Sequence, residues 1–350
     1  MTDLLIAGGG PAGLGAAILA AQAGLSAVVV EPRTGVIDKA CGEGLMPPAV
    51  EALRRMGVEI PVSHPFEGVR YVRGARQVEG RFDAGAGLGV RRLVLHEALR
   101  ARALALGVQL VEGRVPAFEQ RGDRVAALGL TARYGVVADG LMSPLRARMG
   151  LNLPPRLPPR VGVRRHFRLR PWSPFVEVHW AEHAEAYVTP VADDLVGIAI
   201  LYRQDAPSPD RGQAPFERWL ALFPDLLARL GAPPPEHGSA ARGAGPFEQR
   251  VKARVVGRVM LVGDASGYLD PLTGEGVRLA LEEGEAMVAA VRADRPADYE
   301  RAWRRVARRY LWMTSGLLWV GRHALTRRLI LPVCQAVPGV FQRGLNLLAS

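Results

Sequence analysis

Three glycines, Gly8, Gly10 and Gly13, stand in the run LLIAGGGPAGLGAAILAAQAG, with Pro11 and Ala12 between the last two. Glycine at this spacing suits dinucleotide binding. Gly8 permits a tight turn, Gly10 lets the backbone approach a pyrophosphate, and Gly13 lets a helix pack closely on a strand. The free amides at the helix start add donors and a partial positive charge for the phosphates. Glu31 closes the next apolar run and can accept hydrogen bonds from a ribose hydroxyl, with Arg33 two residues beyond. The strand before and the helix after distinguish this motif from an incidental glycine turn.

Two further segments carry chemistry-bearing residues at turn positions. TARYGVVADGLMSPLR places Asp139 and Gly140 after an apolar run, followed by Ser143 and Arg146. VVGRVMLVGDASGYLDPLTGEGVRLALEEG places Gly263 and Asp264 at the end of another, followed by Pro271, Gly274 and Gly276 opening a helix. Taken in this order, the three motifs resemble those of the FAD-dependent oxidoreductases of the group A flavoprotein monooxygenase and geranylgeranyl reductase superfamily. The resemblance extends to about residue 292. It implies FAD as cofactor, with Asp264 bonding the ribityl chain and the Gly274–Gly276 helix start facing pyrophosphate and flavin. By the same resemblance Asp139 and Gly140 link the FAD site to the nicotinamide entry route. Arg92 in GVRRLVLHEAL, or Arg91 beside it, reaches the cofactor. NAD(P)H is expected as a transient electron donor, since no second strand–G-x-G-x-x-G–helix unit is found.

The segment Lys39-Ala-Cys41-Gly42-Glu43-Gly44-Leu45 resembles the K-x-C-G-[DE]-G-L element of the reductase branch. It implies a backbone close to the flavin ring and Cys41 on the substrate side. GDASGYLD also leans toward that branch. Against it, the Y-x-W-x-F-P stretch of isoprenoid reductases is matched only by Glu185-Ala-Tyr187-Val-Thr189-Pro190, without the tryptophan and phenylalanine. The absent clamp would touch substrate, so it weighs more. The reading favours an NAD(P)H-using monooxygenase that hydroxylates a hydrophobic, phenolic or polyketide- or lipid-like molecule. Reduction of isoprenoid double bonds is the alternative, and a non-catalytic membrane-docked flavoprotein is the third. Cys41, His166 and Tyr187 are the substrate-side candidates.

The elements that must position these residues follow from the pattern. Leu4–Ala7, Ala12–Ala23 and Ala27–Val30 read strand, helix, strand, the start of a doubly wound α/β sheet. Helices are expected from Pro47, over Arg92–Leu106 and over Gly276–Val291, and strands at 108–111, 134–138 and 255–262. Four alternating runs near 161–169, 175–180, 185–191 and 195–202 read as an antiparallel sheet. Residues 1–60, 90–150 and 251–295 are therefore assigned to a discontinuous Rossmann-like FAD domain, 61–89 and 151–250 to a substrate domain, and 296–350 to a helical C-terminal region. Proline-rich breaks fall at 153–160, 205–215 and 231–239.

Composition bounds the rest. At 49% hydrophobic and 23% charged, the 350 residues form an ordinary globular chain. The net charge of +11 is almost all arginine, Lys39 and Lys252 being the only lysines, and nucleic acid is not expected as a partner. Cys41 and Cys334 form neither a disulfide framework nor a metal-type spacing, so no metal is expected. No signal peptide is visible, which points to the cytoplasm. Arg301, Arg304, Arg305, Arg308 and Arg309 share a helical face beside an unusually apolar tail that includes Trp312, Leu318 and Trp319. Such a tail suits a C-terminal helix pair packed on the core with a solvated arginine face, or else an anionic membrane surface, as at the inner face of the membrane, or a greasy substrate channel.

Overall fold

The computed structural model describes residues 2–207, 210, 212–231, 240–322 and 324–348. The chain opens with β1 (Thr2–Ala7), α1 (Pro11–Gln22) and β2 (Ala27–Glu31). Next come β3 (Gly44–Leu45), α2 (Pro47–Arg55), β4 (His64–Phe66), β5 (Gly68–Arg73), β6 (Arg76–Arg81) and β7 (Gly87–Gly89). A return to α/β texture gives α3 (Arg92–Ala105), β8 (Gln109–Glu112), β9 (Glu119–Arg121), β10 (Arg124–Ala127), β11 (Leu130–Val137) and α4 (Pro144–Arg148). The middle of the chain forms β12 (Asn152–Leu153), β13 (Arg160–Phe167), β14 (Phe175–Trp180), β15 (Ala184–Ala192), β16 (Leu195–Arg203), α5 (Pro215–Leu220) and α6 (Pro224–Leu230). Then follow β17 (Arg242–Ala244), β18 (Arg250–Val251), β19 (Val255–Val256), β20 (Val259–Leu261) and α7 (Gly276–Arg292). Three helices, α8 (Ala297–Arg322), α9 (Ala324–Ala336) and α10 (Pro338–Leu348), end the described chain.

The large sheet runs β19-β20-β11-β1-β2-β8 and is parallel from β20 to β8. Its strands are covered on both faces, as expected of runs such as LLIA and AVVV. On one face Leu4, Ile6 and Val29 pack with Leu14, Leu99, Leu281 and Tyr299 from the helices. On the other, Leu5, Val28, Val30 and Val137 pack with Leu145 and Leu261. The β1–α1 turn needs its glycines: Gly8 has φ +115°, and a Cβ on Gly13 would lie 1.8 Å from the Gly8 carbonyl oxygen.

The second sheet runs β17-β13-β16-β15-β14-β5-β6. The four alternating runs supply β13 to β16, and one face carries Val163, Phe167, Val188, Ile198 and Ile200 under Phe216, Trp219 and Leu226. Two expectations need correction. The sheet is not wholly antiparallel, because β5 joins β14 in parallel register, Phe175 opposite Gly68. The stretch 255–262 is not one strand but a tight β19–β20 hairpin turned at Gly257, which has φ +59°. The break at 231–239 lies from residue 232 onward outside the described residues.

The tail packs by one face. In α8, Tyr299, Trp303, Ala307, Tyr310, Thr314 and Leu318 are buried. The side chains of α9 and α10 brace the β5–β6 hairpin: Gln335 donates to the Gln77 carbonyl, Gln342 to that of Arg81, and the Asp83 amide donates to Asn346.

Candidate cofactor and active site

The glycine turn and α1 form the first wall. Gly10 is the N-cap of α1, and no side chain caps that helix end. A Cβ added to Gly10 would meet nothing nearer than the Arg92 Nη2 atom at 4.0 Å, so the backbone faces open space. Glu31 Oε2 accepts the Gly9 amide at 2.8 Å, and Oε1 accepts from Arg33 Nε at 2.7 Å. Burial raises the Glu31 carboxyl pKa, but the Arg33 and Gly9 hydrogen bonds outweigh it and hold the group below its ordinary value. His96, on α3, takes the Ile37 amide on Nδ1 at 3.3 Å and faces the Gly9 carbonyl with Nε2 at 2.9 Å. An amide donating to Nδ1 makes Nε2 the protonated nitrogen, so the ring is neutral and donates to Gly9. Gly9, Glu31, Arg33 and His96 line a cleft of about 210 Å³ that extends past Thr34 and Ile37 to Arg100 and Glu112.

The second wall is the loop from Lys39 to Leu45. Glu43 is buried at φ +61°, in the left-handed region. Its Oε1 accepts the Arg92 amide at 2.8 Å, and its Oε2 lies 2.6 Å from His166 Nε2. Arg164 donates from Nη1 to His166 Nδ1 at 3.0 Å and from Nη2 to Asp38 and to the Lys39 carbonyl. An arginine can only donate, so His166 must carry its proton on Nε2 and donate to Glu43. Thr189 on β15 donates to the Gly42 carbonyl at 2.8 Å. The loop is thus tied to α3 on one side and to the second sheet on the other. Burial, and then the Glu43 charge, push the Cys41 thiol above its ordinary range. A Cβ on Gly42 would meet nothing within 4 Å.

The third wall joins the ends of β11 and β20. Asp139 Oδ2 accepts the Leu145 amide at 3.1 Å, while its Oδ1 is buried with no partner. Arg146 is almost wholly buried and spans both motifs, donating to the Asp264, Ala265 and Leu141 carbonyls and to the side chains of Asn152 and Gln249. Gly263 to Ser266 form a 3-10 turn whose N-cap is Val262, so Asp264 is not the cap. Burial raises the Asp264 carboxyl, with Lys39, Arg92 and Arg146 pulling it back. Pro271–Thr273 form a second 3-10 turn, capped by Asp270 and ended by Gly274 at φ +68°. Gly276 then opens α7. Tyr187 donates to the Leu272 carbonyl at 3.4 Å, which brings β15 against this turn.

The three walls adjoin one another around a groove: a Cβ on Gly8 would meet the Asp139 amide, one on Gly10 would near Arg92, one on Gly140 would meet Lys39 and one on Gly263 would meet Ala12. Arg92 is buried, with its Nη1 lacking any partner. Orphaned donor and acceptor atoms at Arg92 and Asp139, and bare backbone at Gly10, Gly42 and Gly274, fit a long polyanionic cofactor with a flat ring. Of the substrate-side candidates, Cys41 lies in the Lys39–Leu45 loop, where its Sγ accepts the Glu43 amide, and Tyr187 touches the Pro271–Thr273 turn. His166 sits behind the loop, with both ring nitrogens engaged. The sequence reading missed His96, the Glu43 carboxylate and Glu283, whose Oε2 accepts the Gly263 amide at 2.7 Å and the Ser266 hydroxyl at 3.0 Å. Only helical phase, which turns His96 and Glu283 inward, could have hinted at two of them.

This fold and groove define a flavoprotein. A family model described as an FAD binding domain matches residues 1–291, and the chain belongs to that family as an FAD-dependent oxidoreductase. Over 341 residues it is 28% identical to a menaquinone reductase of Mycolicibacterium smegmatis, covering 86% of this chain and 79% of that one. It is 26% identical to a digeranylgeranylglycerophospholipid reductase of Methanopyrus kandleri, covering 83% and 82%. Among solved structures, a flavin-dependent brominase superposes with a TM-score of 0.82 at 19% identity, covering 99% and 93%, a likeness of fold alone.

Proposed function

We propose that the protein reduces a carbon–carbon double bond in an isoprenoid chain of a hydrophobic lipid or quinone. The observation that carries this is the Lys39–Leu45 loop. Its reductase-like sequence is fixed between α3 and the second sheet by buried Glu43, where it forms a wall of the groove. The similarity to two reductases, named for a prenylated quinone and a prenylated phospholipid, supports the reading. When bound, FAD supplies two-electron redox chemistry, recharged by transient NAD(P)H. Gly10, Arg92 and the start of α1 would hold its phosphates, Glu31 its ribose, and Asp264 its ribityl chain. Glu43 and His166 keep the loop in one conformation. Trp180, Leu272, Leu317 and Leu318 give the cleft between β14 and α8 an apolar side that an apolar chain could use, and Arg160, Glu182, Glu185, Arg203 and Arg322 make another part of its wall charged.

Hydroxylation, favoured by the sequence alone, is the second reading. Tyr187 is the one aromatic residue between Glu185 and Pro190, so the reductases' aromatic clamp is missing. The test is to incubate reduced enzyme with a prenylated quinone, without oxygen and then in labelled dioxygen. Product whose side chain stays heavier by two hydrogens after the quinone head group is reoxidised is expected in the anaerobic sample. Product formed only in air and carrying labelled oxygen would overturn the proposal in favour of hydroxylation.

A further inference from the structure

Helix α8 carries two opposed faces. Its inner face is the buried row of Trp303, Ala307, Tyr310, Thr314 and Leu318. Opposite, at steps of three and four, run Arg301, Arg305, Arg308, Trp312, Ser315 and Trp319. The three arginines are exposed, and Trp312 and Trp319 are 71% and 58% exposed. Asp298 pairs with Arg301 and Glu300 with Arg304, and both acids lie in the first turn of α8. From residue 301 to 350 the sequence contains nine arginines and no acidic residue. Exposed apolar side chains continue along the next two helices and the residue between them as Leu329, Val333, Val337, Val340 and Leu347. No helix among the described residues is long and apolar enough to cross a membrane.

We infer that the outer face of α8–α10 docks on an anionic lipid surface, lying in its plane. Charge complementarity selects this occupant. A one-signed arginine stripe that continues into tryptophans matches the order of a bilayer interface, phosphates outside and acyl boundary beneath. A second copy of the chain would instead bring arginine against arginine. The cleft between β14 and α8 has Leu317, Leu318, Gly321 and Arg322 of this same helix in its wall, so docking would set its rim at the lipid. This surface would serve either reaction proposed above.

The full-length, FAD-loaded protein should be sedimented with vesicles of phosphatidylcholine alone and of phosphatidylcholine with phosphatidylglycerol, at rising salt. Binding to the anionic vesicles, weakening with salt, is expected. Arg301→Gln, Arg305→Gln and Arg308→Gln together should lower partitioning by about a hundredfold, near one kcal/mol for each arginine. Trp312→Ser with Trp319→Ser should remove the binding that survives in high salt, with the flavin spectrum unchanged in both variants. Absence of binding, or equal binding to neutral and anionic vesicles, would overturn the inference. So would a dimer that these same substitutions dissociate in the absence of lipid.

Discussion

Replacing Glu283 with Gln should remove a pH dependence of stability built into the cofactor groove. The Glu283 carboxyl is buried under the Gly263–Ser266 turn, and burial pushes its pKa from 4.5 up to about 8, against the pull of its own hydrogen bonds. Between those values the folded chain holds a proton that the unfolded chain has released. Stability from this group is therefore fully present below pH 4.5 and is lost as pH rises through about 8. At about 1.36 kcal/mol per unit, the loss is on the order of 3–5 kcal/mol. A glutamine carbonyl can accept from the Gly263 amide and the Ser266 hydroxyl without ever ionising. Urea unfolding of FAD-free wild type and Glu283→Gln, from pH 5 to pH 9, measures the effect. The variant should gain on the wild type by that amount as pH rises. A stability difference that stays constant over the range would refute the reasoning, because it would mean that Glu283 titrates alike in both states.

Gly10→Val should fold, since a Cβ there meets only Arg92 at 4.0 Å, yet fail to retain FAD; a yellow variant would count against the phosphate assignment. Gly13→Ala should instead lower the Tm of the FAD-free protein in calorimetry, because its methyl group would collide with the Gly8 carbonyl, at a cost of about 1–3 kcal/mol or more. Arg160→Met strands the carboxylates of Asp270 and Glu185 and should cost about 3–5 kcal/mol in urea unfolding. Cys41, half-buried and with its thiol pushed up by burial, should be alkylated about tenfold more slowly in the native protein than in urea; a faster native reaction would contradict the raised thiol.

The nucleotide turn was legible because its determinants are local. A strand, three glycines, a helix and a closing Glu31 fall within 31 residues, and each residue type has a steric reason. The alternating runs that became β13 to β16 were legible for the same reason. What stayed hidden depends on partners far apart in sequence. Glu43 meets His166 across 123 positions, and no period along the chain encodes that pairing. The parallel joining of β5 to β14 is likewise a choice of register between distant segments. The run 255–262 misled because its apolar content outweighed Gly257, whose positive φ makes the hairpin. The place of Asp264 after a strand only partly supports a helix cap, and it is Val262 that holds the cap position.

Tyr310 on α8 accepts the Leu269 and Asp270 amides and donates to the Asp270 carbonyl, while Thr314 bonds Thr273. Tyr299 donates to the Leu261 carbonyl and Trp303 to the Ser266 hydroxyl. All four of these side chains lie beyond residue 291, where the family match stops. The unit of sequence similarity and the unit of folding are therefore different lengths. A chain cut at the family boundary would uncover the large side-chain contacts of Tyr299, Trp303 and Tyr310, each aromatic being worth about 150–250 Å² of buried surface. It would also leave the Leu269–Asp270 amides unanswered, directly beneath the turn that leads to Gly274. Helix α8 is thus the floor of the cofactor domain rather than an appendage to it, and any recombination or truncation of this chain has to keep α8 with residues 1–291.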